Sequence, residues 1–185
     1  MGDEIVPDDK DWTWVLERPC PECGFVASTV AVEDVAPVVR ANAARWVEVL
    51  GGPDVTVRPQ PDVWSPLEYA CHVRDVFRLF DTRLHLMLDT DGAGFANWDQ
   101  DETAVAERYG EQDPAVVTDE LTAAAEVLAA SFAAVTPDQH DRTGLRSDGS
   151  QFTVTTFAQY LVHDPVHHVW DVTGVPAGAQ EAVPS

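Results

Sequence analysis

Three of the six histidines in this chain lie within one short apolar stretch, at His163, His167 and His168. On a helix, His163 and His167 share one face because they are four residues apart, and two imidazoles at this spacing can hold a single metal ion. Pro165 stands between them and removes one backbone donor from that helix. His168 points about 100° away from His167 on an ideal helix. A metal site therefore needs a third ligand from elsewhere in the chain.

His72 is the candidate third ligand, because it falls at the edge of the apolar arc of an earlier predicted helix. Three imidazoles from two helices would leave a coordination position open for water or substrate, which is the arrangement of catalytic metal sites. Glu68, Asp75 and Asp171 each lie about one helical turn from a predicted ligand and could orient its ring. The alternative for His72 is a hydrogen-bonded core histidine, and for the pair on the later helix two partly exposed side chains.

The sequence Cys20-Pro-Glu-Cys23 has the spacing of half a zinc-binding motif, and Cys71 could add a thiolate only by folding close to it. Three interpretations remain open: a tight turn with two buried thiols, a metal site, or a redox pair. Three cysteines are an odd number, so no disulfide framework is indicated.

The elements that must position these residues are four long amphipathic helices with little strand signal between them. Ser65, Pro66 and Glu68 form a capping box that starts the second helix. The predicted helices span residues 35–50, 66–88, 114–135 and 155–172, with a shorter one at 102–109. The long connections favour an all-α four-helix bundle with long crossover connections.

We divide the chain into an N-terminal extension with the CxxC motif at residues 1–30, the bundle at 31–175, and a flexible tail at 176–185. The long connection before the third helix carries polar and aromatic side chains that could line a pocket. These side chains are Asn97, Trp98, Asp99 and Tyr109. Arg142 or Arg146 in the next connection could meet a substrate carboxylate.

The length, composition and net charge of the chain limit the kinds of protein and of partner to be expected. With 185 residues and 45% hydrophobic content, one globular domain is expected. The chain has 32 acidic and 11 basic residues, for a formal net charge of −21, so we expect no nucleic-acid partner and no anionic membrane surface. The start of the chain is too acidic for a signal peptide, which predicts a cytoplasmic protein.

Two motifs carry a resemblance to a known family: Trp64-Ser65-Pro66-x-Glu68-x-x-x-His72 and His163-x-x-x-His167-His168. They resemble the DinB-like superfamily of DinB/YfiT-like metalloenzymes, over roughly residues 30–173. The resemblance implies a four-helix bundle with a divalent metal, most often zinc or nickel, on His72, His163 and His167. It also implies thiol-dependent transferase or isomerase chemistry and often a homodimer. Many members continue the last motif as His-His-Arg-Gly-Gln, whereas this chain has His-His-Val-Trp-Asp.

Three functions follow from these observations. The first is a metal-dependent enzyme that acts on a small-molecule substrate, with a low-molecular-weight thiol of the mycothiol or bacillithiol type as co-substrate. The second is a non-catalytic metal- or ligand-binding module of a stress response. The third is a zinc-stabilised structural protein that uses Cys20 and Cys23.

Overall fold

The computed structural model describes residues 11–180. The first ten residues of the predicted N-terminal extension and the last five of the predicted tail lie outside the described residues. Within the described range, every helix is too short or too polar to cross a membrane.

Six α-helices follow one another along the described chain. They are α1 (Val35–Leu50), α2 (Pro66–Asp89), α3 (Gln100–Ala106), α4 (Pro114–Ala133), α5 (Val154–Thr173) and α6 (Ala177–Gln180). The four long helices confirm the predicted ones to within two residues at each end. The short helix expected at 102–109 begins earlier because Asp99 accepts a hydrogen bond from the Glu102 backbone amide and so caps α3. It also ends earlier, since Arg108 has a left-handed φ of 49°.

Local capping explains where the two helices that carry histidines begin and end. The Ser65 hydroxyl accepts a hydrogen bond from the Glu68 backbone amide, and the Glu68 carboxylate accepts one from the Ser65 amide. Thr153 caps α5 in the same reciprocal way. Gly174 ends α5 with a φ of 71°, a left-handed conformation that glycine adopts without steric cost.

The four long helices form a bundle in which α4 and α5 each pack against both α1 and α2. Large buried side chains from all four helices fill the centre. They include Trp46 on α1, Phe77 on α2, Leu121 and Phe132 on α4, and Phe157 on α5. The structure thus confirms the predicted four-helix bundle.

A small three-stranded sheet is a difference from the sequence-based expectation of little strand. Its strands are β1 (Ala93–Phe95), β2 (Thr143–Arg146) and β3 (Gln151–Thr153). Strand β1 runs parallel to β2, with Ala93 opposite Gly144, and β2 runs antiparallel to β3. The sheet joins the two long connections of the bundle to each other, and so fixes the loop that follows β1.

The chain segments before α1 and after α5 both pack beside α5. The 3-10 turn Trp12–Leu16 contacts α5. Where the sequence predicts a loose tail from residue 176, the structure has the short helix α6, whose buried Gln180 donates to the carbonyl oxygen of Val166 at 3.0 Å. The Ala177 amide donates to the carbonyl of Cys23 at 2.8 Å. The CxxC turn is therefore hydrogen-bonded to the start of α6.

Candidate metal centres

Helix α5 presents two pairs of potential ligands on neighbouring stripes. His163 and His167 form one pair, and Asp164 and His168 form the other, each pair four residues apart. Pro165 lies inside the helix between them, and its carbonyl oxygen accepts a hydrogen bond from the buried Asn42 side chain of α1 at 2.8 Å. The hydrogen bond from Asn42 therefore fixes the backbone of α5 at Pro165, which lies between the first and second residue of each pair.

The first group, which we call the His72 cluster, consists of His72 from α2 with Asp164 and His168 from α5. One ligand atom from each of the three residues lies within 4.8 Å of the others. Asp164 Oδ2 is 3.3 Å from His72 Nε2 and 3.9 Å from His168 Nε2. His168 Nδ1 lies 2.8 Å from Asp171 Oδ2, a contact that turns its Nε2 towards Asp164.

The electrostatics of the His72 cluster suit a cation. Burial alone would raise the pKa of Asp164, but the neighbouring His72 and His168 hold that pKa below its usual value, so the carboxylate is negatively charged. Two buried atoms, His72 Nδ1 and Asp164 Oδ1, have no hydrogen-bond partner within the described residues. A bound ion or its water would give Asp164 Oδ1 a partner, whereas Nδ1 of His72 lies on the other side of its ring from the Nε2 that faces Asp164. The residues present therefore fit a divalent metal.

A cavity of about 470 Å³ reaches the His72 cluster at Asp164. The predicted pocket residues Asn97, Trp98 and Asp99 line it, together with Arg83, Arg146 and Tyr160. Trp98 stacks on the His72 ring, with the ring centroids 5.3 Å apart and the planes 9° from parallel. Trp98 therefore lines the cavity on one face and covers the ring of His72 on the other.

The second group, which we call the cysteine cluster, consists of Cys20 and Cys23 with His163 and His167. All four residues are buried, and one ligand atom from each lies within 4.8 Å of the others. Cys20 Sγ is 3.6 Å from His167 Nδ1. Burial raises the pKa of Cys23 to about 12 and lowers that of His163 to about 4, and it also lowers the pKa of His167. Without a cation the Cys23 thiol and both imidazoles are neutral at pH 7.

The structure divides the expected histidine triad between these two groups. His72 lies with Asp164 and His168, whereas His163 and His167 lie with the cysteines, so within the described residues the three predicted ligands do not share one group. The cause is the rotation of α5 about its axis, which turns the second stripe rather than the first towards α2. Sequence reasoning missed Asp164 and His168, although their own spacing of four was a signal. Metal binding by any of these residues stays a prediction.

Two other side chains expected to orient His72 have different partners. Glu68 accepts hydrogen bonds from Arg58. Asp75 accepts one from the Tyr109 hydroxyl at 2.6 Å. Tyr109 is buried and is not among the residues that line the cavity beside His72.

Comparison with known proteins agrees with the fold. Residues 38–172 match the family model of the DinB superfamily. The chain belongs to the DinB superfamily. Among solved structures, YfiT from Bacillus subtilis, described as a probable metal-dependent hydrolase with an unusual four-helix bundle topology, is similar with a TM-score of 0.66. The two sequences are 17% identical, and the match covers 93% of this chain and 91% of YfiT. A search of curated proteins finds no matching sequence.

Membership of the DinB superfamily confirms the family named from the two sequence motifs. The likeness to YfiT extends beyond residues 38–172 to most of the chain and concerns the fold. The cysteine cluster takes two of its four members from the segment before residue 38, outside the part that matches the family model.

Proposed function

We propose that this DinB superfamily protein is a divalent-metal-dependent enzyme whose active centre is the His72 cluster. The observation that carries the proposal is that the charged carboxylate of Asp164 lines a cavity of about 470 Å³ and lies beside the imidazoles of His72 and His168. Three protein ligands leave coordination positions open, as catalytic metal sites do. The description of YfiT as a probable metal-dependent hydrolase supports the same class of function.

Zinc and nickel are the ions we expect, since imidazole nitrogens suit both. When bound, such an ion would lower the pKa of a coordinated water or thiol and polarise a substrate carbonyl. The nucleophile is accordingly water, which makes the enzyme a hydrolase, or a low-molecular-weight thiol of the mycothiol or bacillithiol type, which makes it a transferase or isomerase.

The protein's own side chains hold the ligands in place and restrict water. The indole N–H of Trp98 donates to the Thr103 hydroxyl at 2.7 Å, which fixes the indole ring against His72. The Asp171 carboxylate lies 2.8 Å from Nδ1 of His168 and fixes the orientation of that ring. Ligands whose orientation is fixed by such neighbours bind metal more tightly than free side chains do.

Two buried guanidinium groups at the cavity favour a substrate that carries an anionic group. Arg146 is paired with Asp148 at 2.8 Å. Arg83 is 4% exposed, donates to the Ala96 carbonyl at 2.7 Å, and has no carboxylate within 4.0 Å among the described residues. Burial and the nearby Arg146 lower the pKa of Arg83 to about 10. A substrate carboxylate beside Arg83 would offset the cost of its buried charge.

Metal analysis and turnover of the purified full-length protein test this proposal together. We expect His72→Ala and Asp164→Asn each to lose one equivalent of divalent metal and all turnover, while folding with unchanged circular dichroism. His85→Ala is the matched control, because that histidine is exposed and contacts Ser131. Equal metal content in the wild-type protein and in both cluster variants would remove the basis of the proposal.

The substrate screen separates the nucleophiles. Esters and amides of small carboxylic acids report hydrolysis, and mycothiol, bacillithiol or glutathione with an electrophile reports thiol transfer. Activity that requires the thiol would identify a transferase or isomerase. A thermal shift on ligand addition without any product would instead show a non-catalytic binding module and contradict the enzyme proposal.

A further inference from the structure

We propose that the cysteine cluster is a second metal site, which binds a structural zinc ion and fastens the N-terminal segment to α5. Its four members are Cys20, Cys23, His163 and His167, and none belongs to the His72 cluster. Two thiols and two imidazoles form a Cys₂His₂ set, which holds zinc in a closed tetrahedral site with no position left for substrate.

The observed spacing matches that chemistry. Zinc bonds of about 2.3 Å to sulfur and about 2.05 Å to nitrogen at a tetrahedral angle separate the two ligand atoms by about 3.6 Å. Cys20 Sγ and His167 Nδ1 are 3.6 Å apart. The other ligand atoms lie within 4.8 Å of these, so small side-chain movements bring all four to one ion.

The CxxC turn brings its two thiols to the same point. The Cys20 amide donates to the Phe25 carbonyl at 2.8 Å, and the Gly24 amide donates to the Cys20 carbonyl at 3.0 Å. Gly24 has a φ of 77°, which closes the turn in a conformation that suits glycine. The turn therefore places both thiols within 4.8 Å of the imidazoles of His163 and His167.

Both histidines are prepared as ligands. Nε2 of His163 is buried and has no hydrogen-bond partner within residues 11–180. Because buried polar atoms in native proteins almost always have a partner, this unpaired nitrogen is a second observation, besides the spacing, that points to a bound ion. The other nitrogen of His167 faces carboxylates, with Nε2 3.4 Å from Glu22 and 3.6 Å from Asp171. A carboxylate on the far nitrogen is the usual support of a zinc-bound histidine, and it presents Nδ1 to Cys20.

Aromatic rings enclose the cluster. The ring of Trp12 lies 5.4 Å from that of His163 and 5.3 Å from that of His167, and the ring of Phe25 lies 5.4 Å from His163. All four members are buried and none lines the cavity beside the His72 cluster, which distinguishes this site from that cluster. One bound ion would therefore link the turn at residues 20–23 to the centre of α5.

Cobalt substitution tests the assignment directly. Full-length protein loaded with Co²⁺ should show a sulfur-to-cobalt charge-transfer absorption, and Cys23→Ser or His163→Ala should weaken or abolish it. Cys71→Ser is the matched control, because Cys71 is equally buried but lies near Tyr109 and Gln112 rather than in the cluster. It should keep the full absorption. We also expect zinc content to fall by one equivalent per chain in Cys23→Ser.

The two metal proposals fail separately. His72→Ala should keep the sulfur-to-cobalt absorption while losing turnover, since His72 has no part in the cysteine cluster. An absent absorption in the wild-type protein, or one that persists at full strength in Cys23→Ser, would overturn the second site and leave the His72 cluster untouched. A Cys20–Cys23 disulfide found in freshly purified protein by thiol counting would overturn it as well.

Discussion

The buried carboxylate of Glu68 should control both the stability of α2 and its dependence on pH. Glu68 is 5% exposed and accepts hydrogen bonds at 2.8 Å from both the amide and the hydroxyl of Ser65. Arg58 Nε also donates to it at 3.0 Å, although the Arg58 side chain is 34% exposed. Glu68→Gln keeps the size of the side chain and removes its charge, so it isolates the charged component of these contacts.

The expected loss can be worked out from these contacts. The partly exposed ion pair with Arg58 contributes about 1 kcal/mol after screening by solvent. The charged acceptor for the two Ser65 bonds adds about 1–2 kcal/mol. We therefore expect Glu68→Gln to lower the free energy of unfolding by about 2–3 kcal/mol, which for a chain of this length lowers Tm by roughly 4–12 °C.

The pH dependence has a definite sign. Burial would raise the pKa of Glu68, but the hydrogen bonds from Arg58 and Ser65 outweigh it and hold the pKa below the ordinary value of 4.5. The native state therefore releases this proton more readily than the unfolded state. The stabilisation is fully present above pH 4.5 and is lost as the pH falls through the folded-state pKa.

Urea denaturation of metal-free wild-type protein and Glu68→Gln at pH 7 and at pH 3.5 measures both effects. Glu126→Gln is the control, because its ion pair with Arg40 is exposed and should change the free energy of unfolding by less than about 0.5 kcal/mol. A difference between wild type and Glu68→Gln that stays the same at both pH values, or that is below about 0.5 kcal/mol at pH 7, would refute the reasoning.

Two further predictions concern the sheet and the cavity. A Cβ at Gly144 would lie 2.7 Å from Met87 Cγ, so Gly144→Ala should cost about 1–3 kcal/mol in urea denaturation, whereas Gly94→Ala, with nothing within 4 Å, should be neutral. Arg83→Met should raise KM for an anionic substrate by roughly 10- to 100-fold with little change in kcat, because one charge-assisted hydrogen bond is lost. It should not lower Tm, since it removes a buried charge, and Arg40→Met should change neither KM nor kcat. An unchanged KM in Arg83→Met would show that the substrate does not meet this guanidinium.

The helices of the bundle were predictable from sequence because their signals are local. Ser65 and Glu68 lie within one turn of the start that they define, and Gly174 marks the end of α5 directly. The sheet was not predictable in this way. Its strands have three or four residues each, too few to show a period of two, and Ala93 pairs with Gly144 about fifty positions away along the chain.

The candidate metal ligands were likewise predictable only where their arrangement depends on residues close together in sequence. The inward position of His72 and the proximity of His163 to His167 follow from helical spacing, and both were predicted. Which pair on α5 meets His72 depends instead on the rotation of that helix, and one residue shifts the facing direction by about 100°. The rotation is set by packing against α1 and α2 and by the bond from Asn42 to Pro165. None of these contacts is local in sequence.

The interleaving of the two ligand pairs on α5 has a consequence for regulation. His163 and His167 alternate with Asp164 and His168 along a little more than one turn, so an ion held by either pair restrains the backbone that presents the other. The affinities of the two sites are then linked, and linkage is reciprocal. If both proposed sites bind metal, loss of zinc from the cysteine cluster would change the metal affinity of the His72 cluster, although the two sites share no ligand.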